Sequence, residues 1–424
     1  MNSRVHEFEI VVVGAGPAGI AAACAAAESG RRVAVADDTP WLGGQIWRGE
    51  PRPAAAQKWI DRFRRSGATL LDQTSVMALP RLGVLLAEHP AGACEIYFQK
   101  LILATGAREL LLPFPGWTLP GVMGAGGLQV LAKHGWPVAG KKVVVAGTGP
   151  LLLAAADGLR KSGAHIVCIA EQAPWPRVAR LGVRLLARPG KILQGIGLQT
   201  RLRGVSQRWG VWPVQAEGDE VLRRVTLTDG RKSWTEECNL LACGFNLVPN
   251  TELPQALGCA LSRGFVTVDE WQAASVANVF CAGETTGIGG VDAALVEGQI
   301  AGYASAGRRE LAQPLFARRA GWHRFRAALA ETFALRTEVR QLAAADTTFC
   351  RCEDVAFGRV RRFSDWREAK LQTRCGMGAC QGRICGAAAG AIFGWEKGSV
   401  RPPFFPVRVH SLSSLINENS QSEK

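Results

Sequence analysis

The sequence predicts an α/β protein with two Rossmann-like dinucleotide-binding domains and a small helical, cysteine-bearing C-terminal domain. Three observations predict it: the stretch EIVVVGAGPAG at Glu9–Gly19, its partial repetition as KVVVAGTGPLLLAAADGLR at Lys142–Arg160, and the crowding of cysteines between Cys350 and Cys385. With 424 residues and 47% hydrophobic content the chain can fill more than one core.

The opening stretch sets the pattern. Ile10 to Val13 is a continuous β-branched run, too apolar for a half-exposed strand and suited to a buried parallel one. Gly14-x-Gly16-x-x-Gly19 then opens an alanine-rich helix predicted over Ala18 to Glu28, with Pro17 at its start. Gly14 serves the tight turn, Gly16 the approach of a pyrophosphate to the backbone, and Gly19 the close packing of helix on strand. A second strand, Arg32 to Ala36, ends at Asp37, where a carboxylate would meet the ribose hydroxyls about twenty residues beyond the glycines. The loop WLGGQIWRGE follows, in which Gly43 and Gly44 would pass beneath a nucleotide while Gln45, Trp47 and Arg48 offer polar and stacking groups.

Arg52 to Thr74 reads as a basic amphipathic helix leading into a strand, and Gly83 to Lys100 as paired strands. Lys100 to Leu110 is a buried strand running into Ala104-Thr105-Gly106, with Pro113 and Pro115 marking a crossover. In the repeated unit, Gly147-x-Gly149 keeps two glycines, but Leu152 stands where the third would be, and a side chain there is expected to push the helix off its strand. Glu171 ends the next strand as Asp37 does, and favours NAD over NADP because a carboxylate repels a 2′-phosphate. NAD, a different adenine nucleotide and no ligand all remain open for this domain. Leu240 to Gly244 is expected to return the chain to the first domain, and strand Val279–Ala282 delivers Gly283-Glu284 to a glycine-rich turn. Pro314 to Val339 is a basic helix whose Leu315, Phe316, Trp322, Phe325, Leu329 and Phe333 form a core stripe.

Composition narrows the function classes. The net charge of +14, from 50 basic and 36 acidic residues, raises nucleic acid or an anionic surface as partners. The basic residues are dispersed and no nucleic-acid motif accompanies them, so nucleic-acid binding is not expected. No uninterrupted run of about twenty apolar residues occurs, and MNSRVHEFEI enters the first strand directly, so a cytoplasmic protein without a transmembrane segment is expected. Seven of the 12 cysteines are scattered through apolar segments, while Cys350, Cys352, Cys375, Cys380 and Cys385 crowd together, which points to a metal rather than to disulfides. The two pairs Cys350-x-Cys352 and Cys380-x-x-x-x-Cys385 can close a tetrathiolate site for zinc or a 2Fe-2S cluster, and the spacing leaves both open. No Cys-x-x-Cys occurs and no cysteine pair follows the Gly43-Gly44 loop, so disulfide reductase activity is not expected.

The Gly43-Gly44 pair, the Ala104-Thr105-Gly106 motif, VFCAGETTGIGG, RPPFFPV and above all KLQTRCGMGACQGRIC resemble the α subunits of hydrogen cyanide synthase, opine oxidases and D-hydroxyproline or dye-linked proline dehydrogenases. The resemblance implies the pyridine nucleotide-disulfide oxidoreductase type of fold. FAD would lie in a discontinuous domain, 1–108 and 265–310, with Gly283 and Glu284 on the ribityl chain. A second dinucleotide-binding domain would span 109–264, a connecting helix 311–345, a bacterioferritin-associated-ferredoxin-like 2Fe-2S domain 346–395 and a tail 396–424. Carried over by position, the cluster ligands are Cys350, Cys352, Cys380 and Cys385. Cys375 is an extra thiol, either a bystander or a substitute ligand, and Lys370, Arg374 and Arg383 would raise the cluster's potential. The resemblance further implies a β subunit bearing the amine-oxidising flavin site, a small ferredoxin-like γ subunit, FMN at a subunit interface, and a respiratory or dye acceptor reached at the inner membrane surface. No His, Tyr or Arg constellation for an amino-acid pocket stands out, and no catalytic residue is assigned. The competing readings are a stand-alone NAD(P)H-dependent reductase and a non-catalytic assembly subunit.

Overall fold

The computed structural model describes residues 4–49, 52–396, 398 and 400–413. The chain divides into two compact units: the described residues within 1–108, 249–326 and 399–424 form the first, and those within 109–248 and 327–398 the second. The return from the second unit therefore falls at Pro249, not at 265. The Leu240–Phe245 run, expected to lead back, is instead a central strand of the second sheet.

The first unit is built on a seven-stranded sheet. Its strands are β1 (Arg4–Val13), β2 (Val33–Ala36), β3 (Thr69–Leu71), β4 (Ser75–Arg81), β5 (Val84–His89) and β6 (Gly92–Leu103), in the order β3-β2-β1-β6-β5-β4. The β1 strand runs parallel to β2 and β6, and Val279–Cys281 runs parallel to the last residues of β6. Because β6 is long, its first half pairs with β5 and its last residues pair with Val279–Cys281. Helix α1 (Pro17–Ala27) is buried from Ala18 to Ala26. Its alanines let the helix Gly290–Ser305 approach so closely that a Cβ on Gly298 would lie 2.2 Å from the Ala18 carbonyl oxygen, and one on Gly302 2.3 Å from that of Ala22.

Residues 400–413 also belong to this unit. Phe404 donates its backbone N–H to the Met77 carbonyl, and Arg408 and Ser411 bond the Glu88 carboxylate. This part of the expected tail is thus folded back on the β4–β6 strands, and its polar end, Ile416 to Lys424, lies outside the described residues.

The second unit has an all-parallel sheet in the order Ser206–Trp209, His165–Glu171, Lys142–Thr148, Leu240–Phe245, Val122–Gly124. A three-stranded antiparallel sheet covers Trp212–Glu217, Arg224–Thr228 and Ser233–Glu237. Residues 346–395 fall within this unit. There the short pair Thr348–Cys350 and Val355–Ala356 and the helices Trp366–Thr373 and Cys385–Phe393 enclose a core of Phe349, Val360, Trp366, Cys375 and Ala388. Asp365 caps the first of these helices by accepting the Glu368 N–H at 2.9 Å, and Arg374 closes it in a left-handed turn.

The basic helix predicted over Pro314–Val339 is interrupted. It runs from Phe316 to Thr332, breaks at 333–336, and resumes as a single turn at Thr337–Arg340. Its first part packs Phe316 and Trp322 on Val296 and Ile300, while Ala328, Leu329 and Phe333 belong to the second unit and pack with Ala173 and Leu181.

Candidate cofactor and metal sites

At the first glycine loop, local geometry requires the residues that are present. Gly14 has φ +106°, and a Cβ there would lie 2.3 Å from the Ala104 carbonyl oxygen. A Cβ on Gly19 would lie 1.8 Å from the Gly14 carbonyl oxygen. Gly16, by contrast, faces open space and begins α1 with no side-chain cap and no acid in the first turn. The first N–H groups of a helix have no intrahelical acceptor, so this end suits the phosphates of a dinucleotide.

Asp37 is half-buried and holds the loop itself: one carboxylate oxygen accepts the Ala15 N–H at 2.6 Å, and the other accepts the Thr39 N–H and hydroxyl. Gly43 donates its N–H to the Ala15 carbonyl, and a Cβ on Gly44 would lie 2.9 Å from the Gly16 Cα, so the Gly43-Gly44 loop is laid directly on the phosphate loop. Gln45 is exposed. Trp47 is not a stacking group, because it is buried in the core of this unit against Gly43. Arg48 lies near enough to Asp38 to oppose the rise in that carboxyl's pKa, which burial and Asp37 cause.

Ala104 and Gly283 complete the ring. Ala104 abuts Gly14, and a Cβ on Gly283 would lie 2.8 Å from that of Ala18. Asn250, which the sequence marks only as a turn, stitches the Ala104-Thr105-Gly106 stretch: its backbone carbonyl accepts the Thr105 hydroxyl, its side-chain amide donates to the Thr105 carbonyl, and its backbone N–H donates to the Gly106 carbonyl. Arg108 donates to the Asn250 side chain at 2.6 Å and pairs with Glu252.

A further cluster lies behind the Gly283–Gly290 turn and is not foreseen from the sequence. Glu297, buried, accepts the Gly283 N–H and the Thr286 hydroxyl on one carboxylate oxygen, each at 3.0 Å. The other oxygen faces His323 Nε2 at 2.9 Å and Arg326 at 3.5 Å. Arg326 also donates to the Thr286 carbonyl and lies against Gly287. Burial, and then the neighbouring Glu297, push the Glu284 carboxyl above its ordinary value. The only sequence signal for this cluster is the apolar stripe of the Phe316–Thr332 helix, which puts His323 and Arg326 beside it. Their partner on another helix is invisible in one dimension.

The second glycine loop departs from the first. Leu152 is buried without displacing the helix Leu151–Lys161, because Gly244 on the adjoining strand leaves the space: a Cβ on Gly244 would lie 3.1 Å from Leu152 Cδ2. The expected loss of packing does not occur. Glu171 is buried and accepts hydrogen bonds from the Thr148 hydroxyl, the Gly149 N–H and the Ala173 N–H at 2.7 to 2.8 Å. Burial pushes its carboxyl up to about 7. Gln172 donates to Thr148 and to the Ala334 carbonyl and accepts the Arg336 N–H, while Asn246 donates to the Phe333 carbonyl. The 333–336 break thus lies along the strand ends where a Rossmann fold receives its nucleotide.

In the cysteine module, the Sγ atoms of Cys350, Cys375 and Cys385, all buried, lie within 4.8 Å of one another. Hydrogen bonds from Cys375 and Cys385 hold the Cys350 thiol far below its ordinary pKa, and Gly376 adds a backbone N–H at 3.5 Å. Cys380 is hydrogen-bonded to Cys385 and to Cys352. Cys352 is exposed and stands outside the triad, whereas Cys375 stands inside it. Three buried thiols with a fourth alongside fit a thiolate-bound metal or cluster. Arg374 is paired with Glu353 at 2.8 Å and Arg383 donates to the Cys380 carbonyl, so the Arg374 charge is offset locally.

Residues 8–304 match the model of the pyridine nucleotide-disulphide oxidoreductase family. The chain belongs to this family. Within the pyridine nucleotide-disulphide oxidoreductases it is 31% identical over 420 residues to hydrogen cyanide synthase subunit HcnB of Pseudomonas aeruginosa, covering 88% of this chain and 90% of the relative. It is 32% identical over 467 residues to the A subunit of opine oxidase from Agrobacterium tumefaciens, covering 96% of this chain and 92% of that one. The crystal structure of L-proline dehydrogenase from P. horikoshii shares the fold, with a TM-score of 0.69 at 19% identity over 97% of this chain and 80% of that chain. The oxidoreductase is a flavoprotein by family. Among its described residues no helix is long and apolar enough to cross a membrane.

Proposed function

We propose that this chain is the electron-transferring α subunit of a heteromeric flavoprotein dehydrogenase that oxidises an amino acid, imino acid or opine. The observation that carries the reading is the convergence of Gly14–Gly19, Ala104–Gly106 and Gly283–Glu284 around the uncapped start of α1, in a chain that also carries a buried thiol triad. When bound, FAD accepts a hydride and releases electrons singly, and a 2Fe-2S cluster passes them on one at a time. The chain's own residues do the positioning. Gly16 and the first turn of α1 would take the pyrophosphate, Asp37 would keep the loop closed, and the Glu297–His323–Arg326 cluster would fix the Gly283–Gly290 turn. Cys350, Cys375 and Cys385, with Cys380 as fourth thiolate, would hold the cluster.

The relatives support a place within a larger complex, since both are named as subunits. In this reading the amine-oxidising site is on a β subunit, FMN lies at a subunit interface, a small γ subunit completes the complex, and a respiratory acceptor is reached at the inner face of the membrane. Cyclic amino acids such as D-hydroxyproline are the first substrates to test. An NAD(P)H reductase is disfavoured because Glu171, which would take the ribose, is buried, whereas its counterpart Asp37 in the first unit is only half-buried.

The test is a visible spectrum with iron and zinc analysis of the chain purified with its accompanying subunits, before and after addition of cyclic amino acids and, separately, NADH. Flavin and iron bleached by an amino or imino acid, and not by NADH, support the proposal. Bleaching by NADH alone overturns it, and zinc in place of iron overturns the electron-transfer role of the cysteine module.

A further inference from the structure

Between Glu171 and Glu217 the chain carries no acidic residue, while arginines and lysine recur through the whole stretch. Two helices of the second unit lie in it, Trp175–Arg184 and Pro189–Arg201, joined by a single 3-10 turn at Leu185–Ala187. The first is anchored by one face, with Val178, Leu181 and Leu185 packed against Ala173, Ala328 and Phe333. The second buries none of its residues. It is held to the rest of the unit by polar contacts: Arg201 pairs with Asp157, and Arg160 donates to the Arg201 and Arg203 carbonyls.

Much of the large side-chain surface these helices show to solvent is apolar, beside exposed Arg177, Arg180 and Arg184. Trp175, Val183, Leu186, Leu193 and Ile196 are 56% to 70% exposed. Val183 and Leu186 are three residues apart, as are Leu193 and Ile196, so each pair shares a face. Trp175 also packs edge-on against Trp209, itself partly exposed on the edge strand Ser206–Trp209, with ring centres 4.9 Å apart. Five large apolar side chains this exposed within 22 residues of chain mark a candidate docking surface. Its basic neighbours are Arg177, Arg180, Arg188, Lys191 and Arg203, while Arg184 is paired with Glu331.

We propose that this helical pair is a monotopic membrane-docking surface that lies on an anionic phospholipid bilayer. The charge argues for lipid: a bilayer offers an unbroken negative layer over an apolar one, and the helices offer bases of one sign beside side chains of Leu, Ile, Val and Trp. Interfaces between proteins, in contrast, are depleted of charge at their centres, whereas here Arg177, Arg180 and Arg184 alternate with apolar residues along the first helix and Arg188 and Lys191 follow at the link to the second. The tryptophans Trp175 and Trp209 suit the headgroup level. The inference gives the proposed membrane location a specific surface, and it stands or falls apart from the electron-transfer reading because vesicle binding needs no flavin chemistry.

The test is sedimentation of the full chain, purified with its accompanying subunits, with vesicles of phosphatidylglycerol and phosphatidylcholine and, separately, of phosphatidylcholine alone. The wild type is expected to pellet with the anionic vesicles, less so as salt rises, and to stay in solution with the neutral ones. The double variant Leu193→Asn/Ile196→Asn, on the helix that buries nothing, is expected to lose at least tenfold in vesicle affinity while keeping its flavin absorbance. Arg177→Glu/Arg180→Glu is expected to lose the preference for anionic lipid. Equal behaviour with both vesicle types, or variants that pellet like the wild type, overturns the proposal. Loss of an accompanying subunit from the Leu193→Asn/Ile196→Asn variant, with no vesicle binding by the wild type, also overturns it and makes the face a protein interface.

Discussion

Gly19 and Leu152 hold corresponding places in two copies of one motif and solve the same packing problem in opposite ways. At position 19 any side chain collides with the Gly14 carbonyl, so Gly19→Ala is expected to abolish flavin retention and to destabilise the first unit by about 1–3 kcal/mol. Absorbance near the flavin band and a thermal melt of the purified protein read both effects. At position 152 the leucine is accommodated because the neighbouring strand supplies Gly244. Leu152→Ala is expected to cost about 2–5 kcal/mol through the cavity it leaves, and Leu152→Ala/Gly244→Ala to recover part of that, a coupling that a double-mutant cycle measures. The sequence shows Leu152 as a broken motif. Its compensation lies far along the chain at Gly244, where only the strand order brings the two together. Glu171 has a pH consequence: with its carboxyl raised to about 7, the native state binds more protons than the unfolded one between the ordinary carboxylate range and pH 7. Stability of the second unit should therefore fall by about 3 kcal/mol as pH rises through that window and level off above it. In Glu171→Gln this slope should vanish, whatever the variant's absolute stability.

At the scale of elements, the parallel strands, α1 and the Gly283-Glu284 turn are legible in the sequence because each is local: a β-branched run, a glycine spacing, an alanine-rich periodic segment. Boundaries set by long-range packing are not. The basic helix reads as one stripe to Val339, yet it breaks at 333–336, where Gln172 and Asn246 take up its backbone groups. The Glu297 cluster was illegible for the same reason, since Glu297 sits on one helix and His323 and Arg326 on the next. Replacing Glu297 by Gln removes a charged acceptor from several donors. Such bonds are worth about 1.5–3 kcal/mol each, so at least a tenfold weakening of flavin binding is expected, measurable by dialysis and fluorescence of released flavin. His323→Gln, which can still donate to Glu297, should weaken binding less.

For the molecule as a whole, the cysteine module is where the proposed electron-transfer role is tested. The resemblance assigns Cys350, Cys352, Cys380 and Cys385, with Cys375 as bystander or substitute, whereas folding gathers Cys350, Cys375 and Cys385, because the left-handed turn at Arg374 carries Cys375 into the core that contains Trp366. Cys375→Ser is accordingly expected to lose iron as fully as Cys350→Ser and Cys385→Ser, and Cys352→Ser to retain more. Iron-to-protein ratios decide between the two ligand sets. The flavin domain is legible in outline, but its three-part make-up is not, since nothing in RPPFFPV says that it packs on the β4–β6 strands.

That interleaving has a consequence for how the protein is made. The chain crosses between its units at residues 108, 248, 326 and 398, so neither exists as a contiguous stretch of gene. On the ribosome the first sheet lacks Val279–Cys281, and the phosphate loop lacks Gly283, throughout synthesis of the whole 109–248 insertion. A nascent chain can present the glycine loop early, but it cannot close the cradle around a flavin until Val279–Gly283 has been made. Cofactor insertion is thereby expected late in the life of the polypeptide, and a truncation before Gly283 that spares every glycine of the opening motif is expected to purify without flavin absorbance.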